Sequence, residues 1–469
     1  MSKFVIILIL ILTILPPLVY HYQYPSCGDD SLFHMQRIDQ IQQNGIHVED
    51  SRYIGQNYTW MVLLPFGDTD YSFVWFNWIA LGIAMFSIYW FGNKLAGKQA
   101  GLVMLFCAVF ISQSFLNFFH NGTIYNIISL YIIGLGGALC LLRWLERGRP
   151  YYAITSLLLW ALLGIYHSST GVVTATSISL FLVGYILVML KKKDYQKVKR
   201  VVVYFCCYLV AGIMVPYFLN PELHRLINQI VGGQLNGQLA MNTPELSPNG
   251  QLSAMYWIFK VWSPWIAILM TVSALIIYKY KAKVNIKLVC LLLSYCVVLS
   301  IGAFTALFYD THRFGMDLAV MASLLGGYLI AVAIKARNAK KYTIAVWGTL
   351  VLSAIPAFIW LLSFNNSMTP ADLKAIEYMN TLNGSTFTTS SQIQPMIYTR
   401  FTDKEYTYPD GDYIIYRSDV QSEQSNPNSW WYPNNDHYPN VSNLSDYDGL
   451  EELGNWSFGK VEVIIFKGE

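Results

Sequence analysis

Residues 27–37 read CGDDSLFHMQR and gather two adjacent carboxylates, an imidazole and a guanidinium in a chain otherwise poor in charge. On a helix turning about 100° per residue, Asp30, His34 and Arg37 share one stripe, while Asp29 points elsewhere. A carboxylate in that setting can act as a general base, or hold a divalent cation beside a nearby imidazole. The same residues also suit a solvated helix start, where Asp caps the first turn and complements the dipole.

A second group lies in FYDTHRFGMD, residues 308–317, with Asp310, His312, Arg313 and Asp317. The planar guanidinium of Arg313 matches phosphate oxygens, and Asp317 follows it by one helical turn. Asp317 falls inside an apolar run, where a charge must pair or face a wet cavity. The alternative is an interfacial ion pair that closes the helix end. His167, in YHSSTG, either lines a polar cavity or snorkels from a loop. Glu222, in PELHR with His224 and Arg225, either reaches over a site or lies on a surface helix. FFHNGTIYN, at 118–126, reads as a polar turn.

The elements that must position these residues are apolar helices. The chain has 469 residues, 54% hydrophobic and 13% charged, against roughly 25% charged in a soluble domain. Apolar runs occupy 4–20, 71–91, 100–119, 124–142, 151–167, 170–190, 201–218, 262–278, 288–308, 315–334 and 342–363. Runs of that length predict about eleven transmembrane helices, since backbone in lipid must satisfy its own hydrogen bonds. The expected class is a polytopic all-α membrane protein.

Loop charge sets the expected orientation. The N-terminus and the stretches 92–99, 143–150, 191–200, 279–287 and 335–341 hold 20 of the 31 Lys and Arg. The positive-inside rule makes that side cytoplasmic, with the N-terminus inside and the C-terminus outside. Seven N-x-S/T sequons, from Asn57 to Asn455, all fall on the opposite side. The first segment reads as a retained helix rather than a cleaved leader, because no A-x-A site follows it. Six of the seven cysteines sit in apolar runs as small hydrophobes, so no disulfide is expected between outer loops.

Two domains are expected: a membrane domain over 1–363, with outer loops at about 21–70 and 219–261, and an outer α/β domain over 364–469. In the tail, Thr369 and Pro370 mark a helix start and Asn383-Gly384 a stop. STFTTS, PMIYTRF, DYIIYR and VEVIIF read as strands, and 421–447 as loop. There is no Walker or Rossmann glycine pattern and no Cys/His zinc spacing, which argues against a nucleotide-driven motor.

GDDSLFHMQRI directly after the first apolar run resembles the first outer loop of GT-C membrane glycosyltransferases. That group includes oligosaccharyltransferase catalytic subunits and protein O-mannosyltransferases. In that resemblance Asp30 takes the acidic position, His34 the histidine or aromatic position, and Arg37 the basic one. THRF is similar to an Arg-Phe element that contacts the lipid phosphate, a role carried to Arg313 alone. In place of the W-W-D-Y-G element of oligosaccharyltransferases stands Trp430-Trp431-Tyr432-Pro433, so the likeness does not extend to transferring oligosaccharide onto sequons.

The resemblance implies an inverting glycosyltransferase in the cell membrane, with a polyprenyl-phosphate-linked sugar as donor. The acceptor, whether glycan, lipid or protein, stays open. Asp30 would be the base, with Asp29 supporting it or joining it on a divalent metal, magnesium or manganese. His34, Arg37, His167, Glu222, His312, Arg313 and Asp317 would bind substrate. No nucleic-acid partner is expected. The competing readings are a transporter or flippase of lipid-linked glycans and a non-enzymatic membrane scaffold. Transport would call for charges at mid-depth and repeated halves.

Overall fold

A computed structural model describes residues 69–112, 124–220, 264–305, 311–337 and 340–362 of the apolar part. In the tail it describes 369–389, 402–407, 411–418, 449–458 and 461–468, with isolated positions such as Ile41, His224 and Tyr398. The segment expected as a first helix lies outside this set, apart from Ile7.

Ten helices of the apolar part follow the remaining ten apolar runs among the described residues. They are α1 (Thr69–Ala96), α2 (Lys98–Ile111), α3 (124–147), α4 (Pro150–Tyr166), α5 (Ser168–Lys191), α6 (Tyr195–Leu219), α7 (Pro264–Lys279), α8 (Ile286–Thr305), α9 (Thr311–Arg337) and α10 (Lys340–Leu362). Five are long and apolar enough to cross a membrane by length and composition: Ile79–Ala96, Ile127–Arg147, Ser168–Lys191, Tyr195–Leu219 and Phe314–Arg337. The outer surface of the bundle is apolar too. Leu158, Leu187, Leu275, Phe218, Ile286 and Leu352 are all more than half exposed. Water would penalise that surface, and hydrocarbon does not.

One core runs through this bundle. α9 lies at its centre, most of its described side chains buried, packed against α2, α7 and α8. Glycines permit the close crossings. A Cβ on Gly327 would stand 2.7 Å from the Met104 backbone of α2. A Cβ on Gly164 would stand 2.7 Å from Pro216, which joins α4 to α6. Association in lipid depends on such backbone approach, since burying apolar surface gains little there.

Three stretches widen to π-helix: Cys107–Ile111, Ile127–Gly134 and Leu209–Met214. The last precedes Pro216, which has no N–H to give the carbonyl of residue 212, and the register shifts there. At the basic ends of the helices, cations meet C-terminal carbonyls. Arg143 donates to the Lys94 carbonyl and pairs with Glu146 at 3.0 Å. Lys287 donates to the Leu145 carbonyl at 3.2 Å. Each cation satisfies an orphan acceptor and complements a helix dipole.

The tail folds around a mixed sheet. α11 (Pro370–Met379) is followed by β1 (Thr386–Thr389), β2 (Glu405–Tyr406), β3 (Tyr413–Arg417), β4 (Glu452–Phe458) and β5 (Val461–Lys467). The strand order is β2-β1-β3-β5-β4, parallel among the first three and antiparallel thereafter. Ala371, Ala375, Ile376 and Met379 line one face of α11 and pack on Phe387, Ile415, Val463 and Ile465. Tyr416, Ile464 and Phe466 alternate to the other face. Thr369 caps α11 with Pro370 at the first position, as the sequence suggests. The helix stops at Met379, four residues before Asn383, in a turn held by the Met379 and Tyr378 carbonyls. Of PMIYTRF only Tyr398 is described, and it is helical rather than extended.

Two expectations follow. Gly327→Val forces a Cβ into the α2 backbone and should cost about 1–3 kcal/mol by overpacking, read as thermal unfolding in detergent. Gly348, which has open space around it, should accept Ala without loss. In the tail, backbone N–H groups of Thr386 and Ser385 hold the Asp412 carboxyl below the ordinary value of 3.8. Because the folded-state pKa is lowered, the stabilisation is present above 3.8 and is lost as pH falls below it. Asp412→Asn should flatten the acid limb of a pH–stability curve measured on the full chain.

Candidate functional site

Buried polar groups concentrate where α3 meets α5 on one side and α9 on the other. Asp317, in the second turn of α9, is 5% exposed. The Tyr131 hydroxyl donates to its Oδ1 at 2.8 Å across 186 positions of sequence. Both residues lie about a turn and a half to two turns from the start of their helices. A carboxylate at that depth in an apolar bundle would otherwise cost several kcal/mol, so the phenol is part of what keeps it there.

A second network sits beside it. His167 ends α4 and caps α5, accepting from the Thr170 backbone N–H at 3.3 Å through Nδ1. The Thr170 hydroxyl lies 2.9 Å from the same nitrogen. Ser129 of α3 donates to Thr170 Oγ1 at 3.2 Å. Ser129 and Tyr131 both lie in the π-helical stretch of α3 and are fully buried. Residues two apart point to nearly opposite sides of a helix, about 160° apart, so Ser129 can face α5 while Tyr131 faces α9. One helix thus serves both α5 and α9.

The C-terminal end of α4 is closed from another direction. Asn220, at the end of α6, donates its amide to the Gly164 carbonyl at 3.0 Å and to Ile165 at 3.3 Å. Just beyond it, the His224 ring stacks on Tyr217 with centroids 4.4 Å apart. Deeper in the bundle, Tyr204 of α6 joins Ser156 at 2.8 Å and receives the Trp160 indole N–H at 3.2 Å.

Of the residues singled out in the sequence, Asp317 and His167 are therefore both buried and both bonded to other polar side chains. Sequence spacing offered Arg313 as the partner of Asp317, and Tyr131 is a partner that spacing did not offer. His167 is the single non-helical residue between α4 and α5, but it is buried rather than snorkelling, and it holds the start of α5. Asp29, Asp30, His34, Arg37 and Glu222 lie outside the described residues. His312 and Arg313 stand in the first turn of α9, and their side chains lie outside the description too. Tyr131, Ser129 and Thr170 were missed. Tyr131 sits in IISLYIIG, which reads as a uniformly apolar span. The usable signal was a hydroxyl at the same depth from its helix start as Asp317.

The tail holds buried charges of its own. Asp372, fully buried, accepts from the Thr369 backbone at 2.7 Å and pairs with Arg417 at 3.3 Å. Tyr398 donates to its other oxygen at 3.3 Å, and burial pushes that phenol well above its ordinary pKa, so it stays a donor.

Removing one partner of the α3–α9 bond is the direct check on it. Tyr131→Phe should destabilise the protein by about 1–3 kcal/mol, since a buried acceptor loses its donor. Asp317→Asn keeps an acceptor for Tyr131 and should cost less. A double-mutant cycle read by thermal unfolding measures the coupling.

No family model matches this chain, and no curated protein matches it.

Proposed function

We propose that the protein is a membrane glycosyltransferase that moves a sugar from a polyprenyl-phosphate donor to an acceptor hydroxyl at the outer face. The reading rests on the first outer loop, GDDSLFHMQR, together with THRF at the start of α9. One structural observation supports it. Arg313 stands in the first turn of α9, one turn before a buried carboxylate that Tyr131 engages. A helix N-terminus carries partial positive charge, and a guanidinium there adds a fork suited to a phosphate.

In this proposal the chain crosses the membrane about eleven times, with the C-terminal domain outside. The lipid tail of the donor stays in the bilayer, and its phosphate lies at the helix ends. Asp30 takes the proton of the acceptor hydroxyl while the acceptor oxygen attacks the anomeric carbon. The bond from that carbon to the phosphate oxygen breaks, its electron pair leaves with the lipid phosphate, and the anomeric centre inverts. Arg313, aided by His312, stabilises the charge that builds on the leaving phosphate. His34 and Arg37 orient Asp30, while His167, Glu222 and Asp317 border the substrate. Magnesium or manganese, where used, would be held by Asp29 and Asp30 and would neutralise phosphate charge. No nucleotide is required, because the lipid-phosphate bond supplies the energy.

Purified protein in lipid nanodiscs, given a panel of polyprenyl-phosphate sugars, tests this. Asp30→Asn should abolish transfer while membrane insertion is unchanged; full activity would refute Asp30 as the base. Arg313→Ala should weaken donor use by about 2–4 kcal/mol in kcat/KM, as for loss of one charge-stabilising group. Unchanged kcat and KM would remove Arg313 from the site.

A further inference from the structure

α5 carries a polar stripe on its bundle-facing side. His167, Thr170, Thr174 and Ser177 recur at helical spacing and are all buried. The stripe runs from the end of the helix inward for about 15 Å at 1.5 Å per residue, half the thickness of a ~30 Å hydrocarbon core. Its upper half is satisfied by protein, through His167, Thr170 and Ser129. Its lower half is not. Among the described residues, Thr174 Oγ1, Ser177 Oγ and the hydroxyl of Tyr295 of α8 are buried without a hydrogen bond of normal geometry, although Tyr295 lies near enough to Thr174 for the two hydroxyls to interact.

Other hydroxyls of the bundle solve the same problem locally. Ser112, Thr176, Thr271, Thr349 and Ser353 each donate to the carbonyl four residues earlier, and Ser294 to the one three earlier. Thr176 lies between Thr174 and Ser177 on the same helix, on its exposed side, and back-bonds to Val172 at 2.9 Å. Thr174 and Ser177 therefore forgo a bond their own helix offers. Ser323 is also without a partner, but it shares the α9 stripe of Gly327, which meets α2, and belongs elsewhere.

Thr174 and Ser177, one turn apart on α5, and Tyr295 of α8, which packs on α5, are uncharged hydroxyls that suit a small neutral ligand able both to donate and to accept. We propose that Thr174, Ser177 and Tyr295 form an internal hydration site, occupied by bound water, at the foot of the α5 stripe. Water meets the requirement of several polar partners around a buried molecule. The cost of leaving three hydroxyls bare between helices is then avoided. This inference does not depend on the glycosyl-transfer reading.

Radiolytic hydroxyl-radical labelling of the full-length protein in nanodiscs, read by mass spectrometry, tests it. Radicals born in bound water modify the side chains that touch it. Tyr295 should be labelled several-fold more than Tyr131, an equally buried tyrosine whose hydroxyl is committed to Asp317. The double variant Thr174→Val, Ser177→Ala should bring Tyr295 down to the level of Tyr131. Should the double variant unfold, labelling of Tyr131 rises with it, and Thr174→Val alone is read instead. Wild-type labelling of Tyr295 no higher than that of Tyr131 would overturn the proposal. So would labelling that persists in the folded variant.

Discussion

Hydrocarbon offers no hydrogen bonds, and that constraint organises the apolar part of this protein. Helices satisfy their own backbone, so every remaining polar atom must find a partner inside the bundle. The bond between Tyr131 and Asp317 is the most demanding case, because it involves a carboxylate. It ties α3 to α9, a helix enclosed by α2, α7 and α8. Around it, Ser129 reaches Thr170, Tyr204 gathers Ser156 and Trp160, and Asn220 closes the end of α4. None of these side chains could be exposed to lipid without cost, so together they fix which helix faces which. The glycine crossings set how near those helices come.

The tail meets a related demand in its own small core. Asp372 is buried because it serves three partners at once: the start of α11, Arg417 of β3, and Tyr398. A buried ion pair of this kind is weak evidence of stability, since hydrophobic replacements often do as well. What it supplies is register. It fixes where α11 begins relative to the strand that ends at Arg417. Lys404 plays a similar part, its ammonium enclosed and donating to the Leu382 and Gly384 carbonyls at 2.8 and 2.6 Å.

Local signals in the sequence read well. The ten described helices of the apolar part lie where apolar runs place them, and the Thr369-Pro370 helix start is as its residues suggest. Strands β1, β3 and β5 carry dense β-branched or aromatic residues and were legible. β4 was not, since ELGNWSF lacks alternation and contains glycine, and β2 is too short to leave a pattern. The candidate site was legible only by residue type. Asp317 and His167 stood out as polar groups in apolar surroundings. Their partners did not, because a tyrosine or serine in a hydrophobic run looks like any other span residue. The π-helical widening of α3 around Ser129 and Tyr131 has no composition signature at all. Pairings across long sequence separation arise from packing, which a single sequence does not spell out.

Chemistry in this account depends on two distant segments meeting at one lipid phosphate: the acidic loop at 29–37 and the start of α9 at 311–317. A polyprenyl phosphate carrying a photoreactive group next to its phosphate measures that directly. After irradiation in nanodiscs and peptide mapping, the label should concentrate in the peptides that hold Asp30 and Arg313, and excess unmodified polyprenyl phosphate should displace it from both. Label spread instead over lipid-facing positions such as Leu158 and Leu352, with no competition, would contradict the account.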